Sequence, residues 1–324
     1  MIQRIEIFAK LGVRLSSFGK EPHTNRIIDQ AIEQNEWFSR EDILLAIDAI
    51  CEEYLDADKL SKWVSEYTVP KRQERIAIIM AGNIPLVGFF DMMCALILGH
   101  EVAVKPSSKD SVLTNYIIDT IRDISPAVAI SEFDPAAAYD RVIATGSNET
   151  ARHFSARYSS TPSLVRGSRH SVAILSGNES EGEIAALQRD IFTHNGLGCR
   201  SVSLIFLPQG TTLKLTPPAM GAMYRGNYRH CKAMRTMLSQ PFSDFGECIA
   251  VEECGFPTNI SQINYCYYRS IEEVEQWITK KDNELQCIVT SIIEHPRRVD
   301  FGRAQYPSLW DYADGVDVMK FLTA

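Results

Sequence analysis

Arg75-Ile-Ala-Ile-Ile-Met-Ala-Gly-Asn-Ile-Pro85 opens with a short, largely β-branched apolar run and closes on Gly82, Asn83 and Pro85. Such a run favours a buried strand, and the Gly, Asn and Pro that follow break it into a turn. Leu86 to Leu98 then reads as a helix, Glu101-Val-Ala-Val-Lys105 as a second strand, Pro106-Ser107-Ser108 as its end, and about Asp110 to Arg122 as a second helix. Strand, helix, strand, helix in so short a span is the pattern of a parallel sheet with helical crossovers. The alternation continues with a strand at Arg141-Val-Ile-Ala-Thr145, a turn at Gly146-Ser147 and a helix over Asn148 to Tyr158.

On the amino-terminal side, residues 25–67 carry helical spacing, with Ile27, Ile28, Ala31 and Ile32 on one face and Ile43, Leu44, Ile47, Ile50 and Leu55 on another. On the carboxy-terminal side, strands at Ser171 to Leu175 and Ser201 to Leu207 alternate with helices at about Gly182 to Phe192 and Leu213 to Leu238. The fold class is α/β with two domains. The expected division is 1–163, a helical cap plus a dinucleotide-type domain to which 301–324 returns, and 164–300, a second α/β domain. No Pro/Gly/Ser linker separates them.

The 324 residues, 45% hydrophobic and 23% charged, suit an ordinary globular protein of this size. With 33 Lys+Arg against 41 Asp+Glu, the net charge of −8 offers no footprint for wrapping nucleic acid. The apolar stretch Ile76 to Gly99 is interrupted by Asn83, Pro85 and Asp91, so no membrane span is expected. The first fifteen residues scatter charge and show no secretory signal, which sets the expected compartment as cytoplasmic. The eight cysteines form no C-x-x-C pair and are expected to be mostly reduced, buried thiols, with no metal site.

Cys199 differs from the other cysteines. It lies in Thr193-His-Asn-Gly-Leu-Gly-Cys-Arg-Ser-Val-Ser203, where Gly196 and Gly198 let the backbone approach a ligand and an apolar strand follows. Arg200 and His194 are candidates for favouring the thiolate, and the bland reading of a small core residue stands beside this one. Asn83, on the turn after the first strand, can donate to developing oxyanion charge or simply form the turn. Lys105, Ser107 and Ser108 end a parallel strand, the edge where open α/β sheets bind ribose or phosphate. Gly146 and Ser147 end another strand and open a helix, which suits phosphate contact and equally an ordinary cap. No G-x-G-x-x-G fingerprint is present.

Taken in order, Ala81-Gly-Asn-Ile-Pro85, Val104-Lys-Pro-Ser-Ser108, Thr145-Gly-Ser147, Gly167-Ser-Arg169-His170, Gly196-Leu-Gly-Cys199-Arg-Ser-Val and Tyr312-Ala-Asp-Gly-Val-Asp317 span about residues 75 to 320. In these pieces the chain resembles the aldehyde dehydrogenase superfamily, and within it the LuxC-like acyl-CoA (fatty acyl) reductases. The first 70 residues carry no matching motif. The resemblance implies an aldehyde dehydrogenase-like fold with its active site between the domains. It implies Cys199 as the nucleophile, and Asn83 with the Cys199 backbone N–H as the oxyanion hole. It also implies Lys105, Ser107 and Ser108 near the cofactor ribose, and Gly146 and Ser147 near the pyrophosphate or nicotinamide. Glu253, in Val251-Glu-Glu-Cys-Gly-Phe-Pro257, resembles the family's E-x-F-G-P glutamate, which holds the nicotinamide ribose.

Two departures from the wider superfamily are informative. Aligning the E-L-G-G-K segment on Val165-Arg-Gly-Ser-Arg169 puts Val165 where hydrolytic members carry their water-activating glutamate, and valine cannot be a general base. Ser107, Ser108 and Lys109 stand where NAD-preferring members carry a carboxylate, so NADPH is the expected cofactor. The implied activity is reduction of an acyl-CoA or acyl-carrier thioester to an aldehyde through an acyl-cysteine, with His194 a candidate proton shuttle. The alternatives are an acyl-cysteine transferase or thioesterase without hydride transfer, and a non-catalytic binding or scaffold relative. A homo-oligomer or an acyl-donor protein partner is expected.

Overall fold

A computed structural model describes residues 2–324, which separate into two units: residues 2–168 with 306–324, and residues 169–305. The boundaries fall a few residues beyond the expected 163 and 300. The segment Ser163–Arg166 hydrogen-bonds into the first sheet, which carries the first unit on to residue 168.

The first unit begins with four helices, α1 (Ile2–Leu15), α2 (Pro22–Gln34), α3 (Arg40–Tyr54) and α4 (Ala57–Val64). The sequence marks their starts: Ser39 accepts the Asp42 N–H at 3.0 Å to cap α3, and Asp56 accepts the Lys59 N–H at 2.8 Å to cap α4. Helix α1 has no counterpart in the sequence reading, yet Ile5, Phe8, Leu11 and Leu15 make a buried stripe on it.

The sheet of this unit contains β1 (Arg75–Ile79), β2 (Glu101–Lys105), β3 (Ile130–Glu132), β4 (Arg141–Thr145) and β5 (Ser163–Arg166). They run in the order β3-β2-β1-β4-β5, all parallel. Helices α5 (Phe89–Leu98), α6 (Ser111–Ile124) and α7 (Asn148–Arg157) make the crossovers. Every residue of α5 except Phe90 is buried, because the helix packs against β1 and β2 as well as α1. That explains why Ile76 to Gly99 is so apolar without being a membrane span. Among the described residues, no helix is long and apolar enough to cross a membrane.

The second unit holds β6 (His170–Ile174), β7 (Val202–Pro208), β8 (Ser243–Asp244), β9 (Ile249–Glu252), β10 (Gln262–Tyr268), β11 (Leu285–Thr290) and β12 (Arg298–Val299). Their order is β12-β11-β6-β7-β10-β9-β8, parallel except for the β8–β9 pair. Helices α8 (Glu181–Phe192), α9 (Ala222–Met237) and α10 (Ile271–Lys281) accompany the sheet. A reciprocal capping box between Ser180 and Glu183 starts α8. Helix α9 begins well after the predicted Leu213, because Pro217 and Pro218 lack the N–H groups a helix interior needs.

The chain then returns to the first unit, where α11 (Val318–Thr323) packs on α5. Arg141 Nη1 donates to the Phe321 carbonyl at 2.9 Å, and Trp63 Nε1 donates to Tyr312 Oη at 2.8 Å. Tyr67 Oη joins Tyr312 Oη and donates to Asp317 at 3.1 Å, which seats the Tyr312 to Asp317 segment against α4.

Six of the eight cysteines are free, in keeping with the expectation of mostly reduced thiols, and Cys254 and Cys266 are paired as a disulfide. Parallel pairing of β9 with β10 brings their Cα atoms to 5.1 Å, a proximity that twelve residues of sequence separation conceal.

Candidate active site

In the first unit, β1 is the strand at which the order reverses, with β2 and β3 on one side and β4 and β5 on the other. The crevice beyond the carboxyl ends of strands at such a point is where open α/β sheets take their ligands. The turns after β1, β2 and β4 all emerge there, carrying Asn83, then Lys105, Ser107 and Ser108, then Gly146 and Ser147. Asn83, Lys105, Ser108 and Ser147 are exposed, while Ser107 and Gly146 are half-buried.

Close packing holds the first two turns together. A Cβ on Gly82 would come within 2.5 Å of Ser107 Oγ, so only glycine permits this approach. Asn35 Nδ2 donates to the Gly82 carbonyl at 3.3 Å from the end of α2. Ser147 caps α7 by accepting the Thr150 N–H at 3.3 Å. Its hydroxyl therefore serves the helix, and the groups at this point best suited to an anion are backbone N–H groups of the first turn.

Val165 lies on β5 opposite Ala144 and packs against the apolar cluster that contains Ala77, Ile79 and Val142. The neighbouring Arg166 was not singled out by sequence reasoning. It is 5% exposed and donates to Asp91 on α5 at 2.6 Å, and its Nε and Nη2 have no hydrogen-bond partner among the described residues.

In the second unit, Cys199 sits half-buried on the turn that enters β7 at its amino end. Its approach is strained. His194 (φ 54°, ψ 32°), Asn195 (φ 55°, ψ 27°) and Gly196 (φ 66°) occupy the left-handed region in succession. Each of the two non-glycine residues costs about 1–3 kcal/mol there, and such strain persists only where the surroundings over-determine it.

Those surroundings are visible. The Ser201 N–H closes the turn onto the Gly198 carbonyl at 3.0 Å. Ser171 Oγ, fully buried on β6, donates to the Cys199 carbonyl at 2.9 Å and accepts the Cys287 N–H at 3.1 Å. Cys287 Sγ in turn donates to the Arg200 carbonyl at 3.7 Å. Arg200 Nε donates to the Ala304 carbonyl, while Asp190 on α8 accepts the Gly302 and Ala304 N–H groups at 2.6 and 3.0 Å. Burial raises the Asp190 carboxyl to about 6 despite these bonds. The sulfur is thus presented on a turn whose backbone is tied down from below. Ser171 and Cys287 escaped the sequence reading because each lies far from Cys199 along the chain, and Asp190 because the N–H groups it holds, those of Gly302 and Ala304, lie more than 100 residues away.

The structure does not bring Glu253 to Cys199. Strand β9 runs parallel to β10, and β10 runs parallel to β7, so Glu253, just past β9, lies at the level of Phe206. Cys199 precedes the other end of β7, beyond the roughly 13 Å of strand that separate Val202 from Phe206 at about 3.3 Å per residue. The likeness of Val251-Glu-Glu-Cys-Gly-Phe-Pro257 to E-x-F-G-P is local, and the strand register puts its glutamate on the opposite edge.

A family model described as acyl-CoA reductase (LuxC) matches residues 21–217. No curated protein matches the chain. Aldehyde dehydrogenase 21 from Physcomitrella patens, solved with its reaction product succinate, superposes at TM-score 0.68 with 10% identity, over 99% of this chain and 83% of that one. An aldehyde dehydrogenase from Mycobacterium tuberculosis, solved with NAD+, does so at 0.64 with 13% identity, over 95% and 76%. An acetylating aldehyde dehydrogenase from Geobacillus thermoglucosidasius does so at 0.61 with 11% identity, over 95% and 85%. The fold is aldehyde dehydrogenase-like.

Proposed function

Because the chain belongs to the LuxC acyl-CoA reductase family, we propose that it reduces an acyl thioester to an aldehyde with NADPH, through an acyl-enzyme on Cys199. The observation that carries this reading is the Cys199 turn, strained before the cysteine and tied down by Ser171 and Cys287.

The Cys199 thiolate attacks the carbonyl carbon of the thioester, forming a new C–S bond. The carrier thiolate leaves with the electron pair of the old one. Asn83 and the Cys199 backbone N–H donate to the oxygen while it bears negative charge. The chemistry a bound nicotinamide supplies is hydride delivery to the acyl carbon. Cys199 is then expelled as thiolate and is ready for another turnover. Val165 leaves no carboxylate at its position to activate water, so the thioester survives hydrolysis.

The residues at the first sheet's carboxyl edge suit a dinucleotide phosphate. Lys105 and Ser108 are exposed, and the acidic side chain of that turn, Asp110, faces inward with 2% exposure. Lys105 with Ser107 and Ser108 would hold the ribose and its 2′-phosphate, and the α7 amino terminus at Gly146 and Ser147 the pyrophosphate. The acyl group comes from CoA or from an acyl-carrier protein.

Loss of NADPH absorbance in stopped flow with an acyl-CoA tests the reading. Acyl-CoA consumption without NADPH loss would instead mark an acyltransferase. Lys105→Ala is expected to raise KM for NADPH about 10- to 100-fold, the worth of one charge-assisted hydrogen bond. Cofactor-free acylation of Cys199 should stay within about threefold. An unchanged KM would remove Lys105 from the cofactor site.

A further inference from the structure

Asp110 stands at the position that would cap α6, yet its side chain makes no cap bond. It reaches instead across to the turn after β1, where Oδ2 accepts the Leu86 N–H at 2.7 Å. Leu86 has φ 56°, a left-handed conformation that a leucine adopts only under constraint. The two turns are in contact around this bond: a Cβ on Gly82 would lie 2.5 Å from Ser107 Oγ and 3.2 Å from Asp110 Cβ. The remaining oxygen, Oδ1, is buried with no partner among the described residues. A charged carboxylate there would be uncompensated, whereas a neutral carboxyl keeps Oδ2 as an acceptor.

We propose that Asp110 is a positioning residue: its neutral carboxyl locks the turn carrying Asn83 to the turn carrying Lys105, Ser107 and Ser108. The oxyanion donor and the cofactor contacts are thereby set as one piece. The inference rests on the reading of those residues given above, and it adds a residue that touches neither substrate nor cofactor.

Burial raises the Asp110 carboxyl to about 8, and the Leu86 N–H opposes that rise only in part. No charged side chain is among these influences. Because the folded value lies above the ordinary 3.8, the group's stabilising contribution is complete below that value. It is lost as pH rises through about 8. The lock should therefore loosen on the alkaline side.

Asp110→Asn keeps an acceptor for Leu86 and cannot ionise, while Asp110→Ala removes the acceptor. Three readouts separate the outcomes: single-turnover acylation of Cys199 by acyl-CoA, NADPH affinity, and hydrogen exchange in residues 81–88. Asp110→Ala should slow acylation by about 10- to 100-fold, weaken NADPH severalfold and speed exchange of the Leu86 amide. Asp110→Asn should stay within about threefold of wild type near neutral pH and abolish the wild-type decline above pH ~8.

A folded Asp110→Ala with wild-type acylation, affinity and exchange would overturn the proposal. So would Asp110→Asn with an unaltered alkaline decline, and that measurement decides the matter if the alanine variant does not fold. Wild type that exchanges Leu86 as expected but never acylates would instead overturn the reductase reading, leaving the lock itself supported by exchange and NADPH affinity.

Discussion

Cys199→Ala is expected to eliminate the acyl adduct when the protein is incubated with a labelled acyl-CoA and examined by intact-mass measurement, while wild type gains one acyl mass. The loss in acylation rate should be at least about 10⁴-fold, the scale on which removal of a nucleophile is felt when the remaining groups act only through it. The fold should be little affected, because the Cys199 and Arg200 carbonyls tie the turn to Ser171 and Cys287. A melting temperature near that of wild type would separate lost chemistry from lost structure. NADPH should still bind, since Lys105, Ser107 and Ser108 belong to the other unit of the chain. An adduct that persists undiminished in Cys199→Ala would move the nucleophile elsewhere and remove the basis of the proposed mechanism.

The parts of this site that follow directly from a strand were legible in the sequence, and the reason is local. β1, β2 and β4 are short apolar runs closed by Gly, Pro or Ser, so Asn83, Lys105 and Ser147 could be assigned to turns at strand ends without knowing the sheet order. Asp110 looked like the start of a helix, which it is, but its side-chain bond to Leu86 depends on how two crossovers pack and leaves no periodic trace. Ser171 and Cys287 meet beneath Cys199 only because β6 lies between β7 and β11. Glu253 shows the converse: its neighbours resemble a motif, and only the strand register reveals that it lies at the end of the sheet opposite Cys199. Helix α1 was hidden by charges at its solvent-facing positions, which drew attention from the buried stripe of Ile5, Phe8, Leu11 and Leu15.

Arg166→Leu is expected to lower stability by about 3–5 kcal/mol, measured by denaturant unfolding, because it strands Asp91 as an uncompensated carboxylate at 4% exposure. Asp91→Leu should cost a similar amount, depriving the buried guanidinium of its 2.6 Å bond to Asp91. The double variant is the informative one. Two apolar side chains remove both desolvation penalties together, so Asp91→Leu/Arg166→Leu should recover most of the loss suffered by either single change. Such recovery would identify the pair as a tie between β5 and α5, retained for something other than net stability. Its location suggests what that is. Asp91 opens the helix that follows the Asn83 turn, and Arg166 adjoins Val165, so the pair fixes the distance between two segments the mechanism uses. The stabilised double variant should therefore lose acylation rate while gaining resistance to denaturant relative to either single variant. Losses that simply add would mean that each side chain is held by its own surroundings and that the ion pair does not join the two elements.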